Sequence, residues 1–239
     1  MSGHSHAKTV MATKMANAAK KGKIYSKFGR LITIAAKEGG GDPNKNSKLK
    51  AVIEQAKSFN MPKENIERAI KKGTGELAGE TLEEVSYEGF GPGGIALIIE
   101  GITDNSNRTL TEIKVILNQN NGKMAGEGAV RWMFERKGSI VVLPEGKLKE
   151  ELEMAAIEAG ADDVKWYGEN MEIHTKPEDL DAVRKNLEEK QIKIESSSLD
   201  YVAKEETEIS EKEREQAQKL FEALDENDAV NDIYSNLKN

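Results

Sequence analysis

The chain has 239 residues, 37% hydrophobic and 32% charged, with a net charge of -7, which suits one large or two to three small globular domains with well-solvated surfaces. It contains no cysteine, which excludes disulfides, thiolate zinc sites and cysteine nucleophiles. No apolar signal-peptide core follows the first residues, and the longest apolar run, IALII at 95–99, is far too short to span a bilayer; a cytoplasmic protein with no membrane partner is expected.

Residues 1–76 are predicted to form a helical module. Phe28, Leu31, Ile32 and Ala35 recur at helical spacing until the glycines at 39–41. A second helix is expected to follow Asp42 as N-cap and Pro43 in its first turn, burying Leu49, Val52, Ile53 and Ala56. A third starts after Asn60, Met61 and Pro62, carries Ile66, Ala69 and Ile70, and stops at Gly73. Each apolar stripe is narrow, so the helices must pack on one another, leaving their lysines on the opposite faces.

This module holds 16 Lys and Arg against 6 Asp and Glu, a formal +10, while the remaining residues carry -17. Its most basic stretch, NAAKKGKIYSKFGR at 17–30, has five cations (Lys20, Lys21, Lys23, Lys27, Arg30) and no acid. Gly22 is expected to interrupt or bend that segment. Two readings stand: an anion-binding module joined to acidic domains, or a basic part that docks on the acidic part. Nucleic acid is the favoured partner, since lysine and arginine neutralise phosphates without reading sequence. Tyr25, among the lysines, could stack on a base or pack on the next helix.

Beyond residue 76, VSYEGFGPGGIALIIEGIT reads as a hairpin with a long second strand over 94–103. A helix spans 107–120, capped by Asn107 with Arg108 in its first turn, where the helix dipole disfavours a cation. AVRWMFER at 129–136 reads as a returning strand, with Trp132, Met133 and Phe134 serving a core. SIVVL at 139–143, a helix to Glu158, strands at 163–167 and 171–175, a helix from Pro177 to Lys190 and a last strand give βαββαβ, the order of a ferredoxin-like split fold. Ser210 and Glu213 form a capping box before a final helix and the strand VNDIYSNL at 230–237. That terminal pair cannot bury its apolar face alone, so it is expected to complete the earlier αβ segment.

GFGPGG at 89–94 opens a strand and lacks the GK[ST] of a phosphate loop, so it reads as a tight turn. His4, His6 and His174 have no carboxylate at local ligand spacing, and Glu83-Glu84 and Asp162-Asp163 lie in solvated acidic stretches. No metal, cofactor or catalytic residue is expected.

Five stretches carry a resemblance: MSGHS, GKIYSKFGRLITIAAKEGGGDPNKN, NMPKENIERAIKKGTGEL, YEGFGPGGIALIIEGITDNSNRT and GAVRWMFERKG. Together they resemble the YebC family, which includes the mitochondrial translational activator of cytochrome c oxidase, across nearly the whole chain. Where that family continues SGHS with Lys-Trp and an aspartate-containing basic stretch, this chain has HAKTVMATKMANAAKKGK, with Ala7 in place of the aromatic. The resemblance implies a three-domain α+β protein without catalytic residues. It also implies a non-enzymatic DNA-binding transcriptional regulator or, alternatively, a ribosome-associated translation factor binding rRNA or tRNA.

The expected organisation is therefore a basic all-helical domain at 1–76, a discontinuous α+β domain at 77–136 plus 207–239, and a βαββαβ domain at 137–206 inserted into it. Both α+β domains are expected to be ferredoxin-like. Lys8, Lys14, Lys20, Lys21, Lys23, Tyr25, Lys27 and Arg30 are the expected nucleic-acid contacts, and the acidic domains are expected to meet protein or shape a cleft.

Overall fold

The structure is a computed structural model that describes residues 18–79 and 81–238, the side chains of 18–20 aside. Three helices open it: α1 (Ala18–Gly39), α2 (Ser47–Ser58) and α3 (Lys63–Gly73). Ile24, Phe28, Ile32 and Ala35 of α1 meet Leu49, Ile53 and Ala56 of α2 and Ile66 and Ala69 of α3 in one core. α1 runs unbroken through Gly22, because the packing of Ile24, Phe28, Ile32 and Ala35 beyond it outweighs the poor helix propensity of one glycine. α2 begins later than its sequence suggests. Asp42 closes a preceding turn by accepting from Asn44 N at 3.0 Å, and Asn46 is the N-cap, accepting from Leu49 N at 3.0 Å. The Asn46 amide also donates to Ala35 O (2.7 Å) and Gly40 O (2.9 Å), tying the end of α1 to the start of α2.

The chain then enters an antiparallel sheet ordered β3-β1-β2-β8, from β1 (Glu83–Phe90), β2 (Ala96–Thr103), β3 (Lys123–Met124) and β8 (Val230–Ser235). The β1–β2 hairpin turns through Pro92–Gly94 with Gly93 at φ 69°, which favours glycine. β2 is central, and Ala96, Leu97, Ile98 and Ile99 are all buried, the pattern of a strand covered on both faces. Helices α4 (Ser106–Gln119) and α7 (Glu211–Asp225) supply Ile113, Leu117, Leu220, Phe221 and Leu224 to the interior. Ile102 packs with Ile34 of α1 and with Leu82, so helices and first sheet are one compact unit, made of the described residues to Arg131 plus Glu208–Ser235. α7 is opened by the expected box, Ser210 N donating to Glu213 Oε2 at 2.9 Å.

A second compact unit spans Trp132–Thr207 and resumes at Asn236. Its elements are β4 (Phe134–Val142), α5 (Lys149–Ala159), β5 (Asp163–Tyr167), β6 (Asn170–Thr175), α6 (Leu180–Glu189) and β7 (Ile194–Ala203). They form an antiparallel sheet ordered β5-β6-β4-β7, the arrangement of the split βαββαβ fold. Leu152, Ala156, Val183 and Leu187 of its helices cover Ile140, Val142, Met171 and Ile173. The first sheet reaches four strands and two helices by another chain order, β-β-α-β followed later by α-β.

The segment at 129–136 departs from expectation. No strand returns to the first sheet there; a 3-10 turn at Arg131–Met133 leads into β4, one strand covering both expected ones. The short β3 pairs at the edge of the first sheet instead, with Gly89↔Met124 and Phe90↔Lys123. Phe134 is buried but Trp132 is 66% exposed, so alternation of apolar residues did not mark one continuous core face.

The cause lies in Glu88, whose residue is 4% exposed. Its carboxylate accepts from Gly128 N (2.9 Å), Val130 N (2.8 Å) and Arg131 N (3.1 Å), folding 128–131 into a loop around the charge. Burial pushes the Glu88 carboxyl up, but these three donors and the nearby Arg131 guanidinium outweigh it and hold the pKa below the ordinary value. A depressed folded-state pKa contributes stability that is present above the unfolded pKa and lost as pH falls through the folded one. Glu88→Gln, which turns an NH2 toward three N–H donors, should cost roughly 2 kcal/mol or more by urea denaturation. The wild-type advantage over Glu88→Gln should shrink as the solution is acidified below the glutamate range.

Candidate nucleic-acid interface

α1 turns by about 100° per residue, and this divides its sequence among three faces. Ile24, Phe28, Ile32 and Ala35 enter the core. Lys23, Lys27 and Arg30, at i, i+4 and i+7, share a second face. Gly22, Ser26, Gly29 and Thr33 share a third, which borders α3 across an open groove.

The second face grips the C-terminal end of α7. Lys27 Nζ is buried, with its side chain 4% exposed, and donates to Asp225 Oδ1 (2.9 Å) and Asp225 O (2.8 Å). One turn away, Lys23 Nζ meets Glu226 O (3.1 Å) and Glu226 Oε2 (3.2 Å), and Arg30 donates to Asp228 O. Unpaired carbonyls and the negative dipole end make a helix C-terminus receptive to cations. At this face the basic segment docks on acidic chain, the second of the two readings its charge allowed.

A polar cavity of about 390 Å³ beside the clamp contains the same logic. Lys23, Arg30 and Arg108 face Asp104, Glu112, Glu226 and Asp228 across it. Arg108 pairs with Asp104 (2.5 Å) and Glu112 (3.8 Å), which compensates its place in the first turn of α4. The N-cap there is Asn105, accepting from Arg108 N at 3.0 Å, rather than Asn107. Its charges are matched by opposite ones, so the cavity has no net pull on an anion.

The α1–α3 groove is different. It also encloses about 390 Å³, and Arg30, Arg68 and Lys72 line it with no carboxylate. Tyr25, Met61, Asn65 and the small residues of the third face complete its walls. Tyr25 packs against the helical core and donates its hydroxyl to Asn60 O at 2.7 Å, so its ring is fixed while one side borders the groove. The helices touch at Thr33, whose hydroxyl donates to Ala69 O (3.1 Å), and at Gly73, where an added Cβ would lie 2.3 Å from Thr33 O. They part toward Gly22 and Gly29, where an added Cβ would meet none of the described residues within 4 Å.

The expected contact residues therefore separate. Lys21 is exposed. Lys27 is spent inside the molecule, Lys23 and Arg30 are engaged but reach solvent, and Tyr25 is mainly a packing residue. Lys8 and Lys14, and the Lys20 side chain, lie outside the described residues. Sequence reasoning missed Arg68 and Lys72 because it followed charge density along the chain; their four-residue spacing on an otherwise amphipathic helix was the available signal. His174 is buried, its Nε2 3.0 Å from Glu172 Oε1, to which Ser139 Oγ also donates at 2.8 Å. Among the described residues no three His, Cys, Asp or Glu side chains are placed to hold a metal ion.

Known proteins are similar to this chain in sequence and fold. The profile described as TACO1/YebC protein N-terminal domain matches residues 5–76, and that of the TACO1/YebC second and third domain matches residues 82–237. The chain belongs to the TACO1/YebC family. Among its relatives, a "probable transcriptional regulatory protein" of Thermoanaerobacter pseudethanolicus is 46% identical over the whole of this chain and 97% of its own. One of Pseudothermotoga lettingae with the same description is 45% identical, over 100% of this chain and 94% of its own. The crystal structure of a conserved hypothetical protein from Aquifex aeolicus superposes with a TM-score of 0.88 at 42% identity, covering 95% of this chain and 93% of that one. The TACO1/YebC N-terminal domain thus corresponds to the three-helix module whose α1 carries both clamp and groove.

Removing one partner of a buried ion pair leaves the other uncompensated, typically at about 3–5 kcal/mol. Lys27→Met and Asp225→Leu should each destabilise the protein on that scale in urea unfolding. The double variant should recover much of the loss, whereas Lys23→Gln, at an exposed pair, should cost about 1 kcal/mol or less.

Proposed function

We propose that this TACO1/YebC protein is a non-enzymatic, DNA-binding regulator of gene expression that meets nucleic acid through the outward cations of its helical module. The observation that carries this reading is the unmatched charge of that module's surface. Lys21, Lys50, Lys57, Arg68, Lys71 and Lys72 are exposed and make no ion pair among the described residues. Phosphates are the ligands such a surface attracts without sequence readout. Relatives described as probable transcriptional regulatory proteins support the regulatory role. The rest of the chain carries the opposite charge, which suits contacts with protein rather than phosphate. No helix among the described residues is long and apolar enough to cross a membrane, and a cytoplasmic place fits a nucleic-acid partner.

Crosslinking in cells followed by sequencing of the attached nucleic acid tests the assignment. Promoter DNA is expected; ribosomal RNA without promoter DNA would overturn the transcriptional reading in favour of translation. In titrations against duplex DNA, Lys21→Gln, Lys57→Gln and Lys71→Gln combined should weaken binding and flatten its salt dependence. Each lost phosphate contact should reduce the log–log slope by about 0.9; an unchanged slope would remove these faces from the interface.

A further inference from the structure

The α1–α3 groove has features that a flat phosphate-binding surface does not need. Gly22 and Gly29 occupy the interior of a 22-residue helix, where glycine is the poorest helix former after proline. Neither is required by close packing among the described residues, because a Cβ at either position would meet none of them within 4 Å. With Ser26 between them they leave one face of α1 bare for about two turns. The facing side of α3 presents Asn65, Arg68 and Lys72, whose side chains make no hydrogen bond or ion pair among the described residues. The fixed Tyr25 ring and Met61 form an apolar wall at the wide end.

Cations without carboxylates select a phosphate. Bare backbone admits a chain at close approach, and an aromatic wall beside hydrogen-bonding groups suits a base whose face and edge are both free. A volume of about 390 Å³ lies near the small end of the roughly 300–1,000 Å³ range of ligand clefts. A duplex, with its bases stacked inside and its backbone rigid, offers nothing that enters such a slot. An unpaired nucleotide does.

We propose that the groove between α1 and α3 is a subsite for one unpaired nucleotide of a single-stranded segment. Its phosphate lies on Arg68 and Lys72, its backbone crosses Gly22, Ser26 and Gly29, and its base rests against Tyr25 and Met61. This deepens the nucleic-acid reading above and rests on it. Duplex contact uses the outer cations, and the groove takes a strand end, a bulge or a melted stretch.

Fluorescence-anisotropy titrations with labelled oligouridylate, oligothymidylate and a mixed-sequence duplex test it. Gly29→Leu fills the groove from a position with open space above it, and Gly22→Ala adds a methyl group at the rim. Both replace a helical glycine, so their urea midpoints should match or exceed that of the wild type. Gly29→Leu, and Arg68→Gln with Lys72→Gln, should each weaken single-strand binding by about tenfold or more, with smaller losses on the duplex. Such a loss with either the ribose or the deoxyribose strand supports the subsite. Single-strand binding that survives Gly29→Leu unchanged, or single-strand and duplex binding that fall in parallel, would overturn it while leaving the nucleic-acid reading intact. No binding of any probe at low salt would overturn both.

Discussion

The ion pair between Lys27 and Asp225 is the constraint on which the first unit depends. An ammonium removed from water needs an anion and further acceptors within hydrogen-bond reach, and here both come from one residue at the end of α7. α7 leads directly into β8, which pairs along β2 from Leu97↔Ser235 to Gly101↔Val230. Fixing the end of α7 against α1 therefore fixes where the returning chain meets the sheet. Two residues separated by 198 positions thereby hold a basic helical module on an acidic sheet domain. Ile34, Leu82 and Ile102 close the apolar side of the same junction.

The charge asymmetry resolves into two roles separated by helical geometry. Residues at i, i+4 and i+7 from Lys23 face inward to carbonyls and carboxylates, while the face one step round carries no charge and opens onto the cations of α3. Net charge counts both populations alike. A count of +10 for the module overstates what is offered to an outside anion, because Lys23, Lys27, Arg30 and Lys48 already have partners within the chain.

Elements with strong periodicity or explicit end signals were legible in the sequence. The three helices, the Ser210 box, the Gly93 turn and the βαββαβ order all follow from residues within a few positions of one another. The failures share a physical origin in long-range contact. Asp42 looked like a cap because it precedes proline, yet Asn46 wins by also reaching Ala35 O. The 129–136 segment looked like a strand because its apolar residues suit one, yet the buried Glu88, some forty residues earlier, gathers its N–H groups into a loop. For the candidate site, the cations of α1 were visible as composition. Which of them were already engaged depended on a helix nearly two hundred residues away, and no local pattern encodes that.

Burial also separates the two roles by their response to salt. Charges in water are screened beyond a Debye length of about 8 Å at physiological ionic strength, whereas a pair without solvent between its members is screened much less. Lys27 and Asp225 are of the second kind, so the clamp persists where phosphate contacts weaken. Arg68 and Lys72 are of the first kind, and any anion they hold is released as salt rises. The attachment of α1 to α7 and any anion contact made by α3 therefore answer salt differently. The two responses stay separate because the clamp and groove faces lie about a quarter turn apart on one helix, which runs unbroken through Gly22.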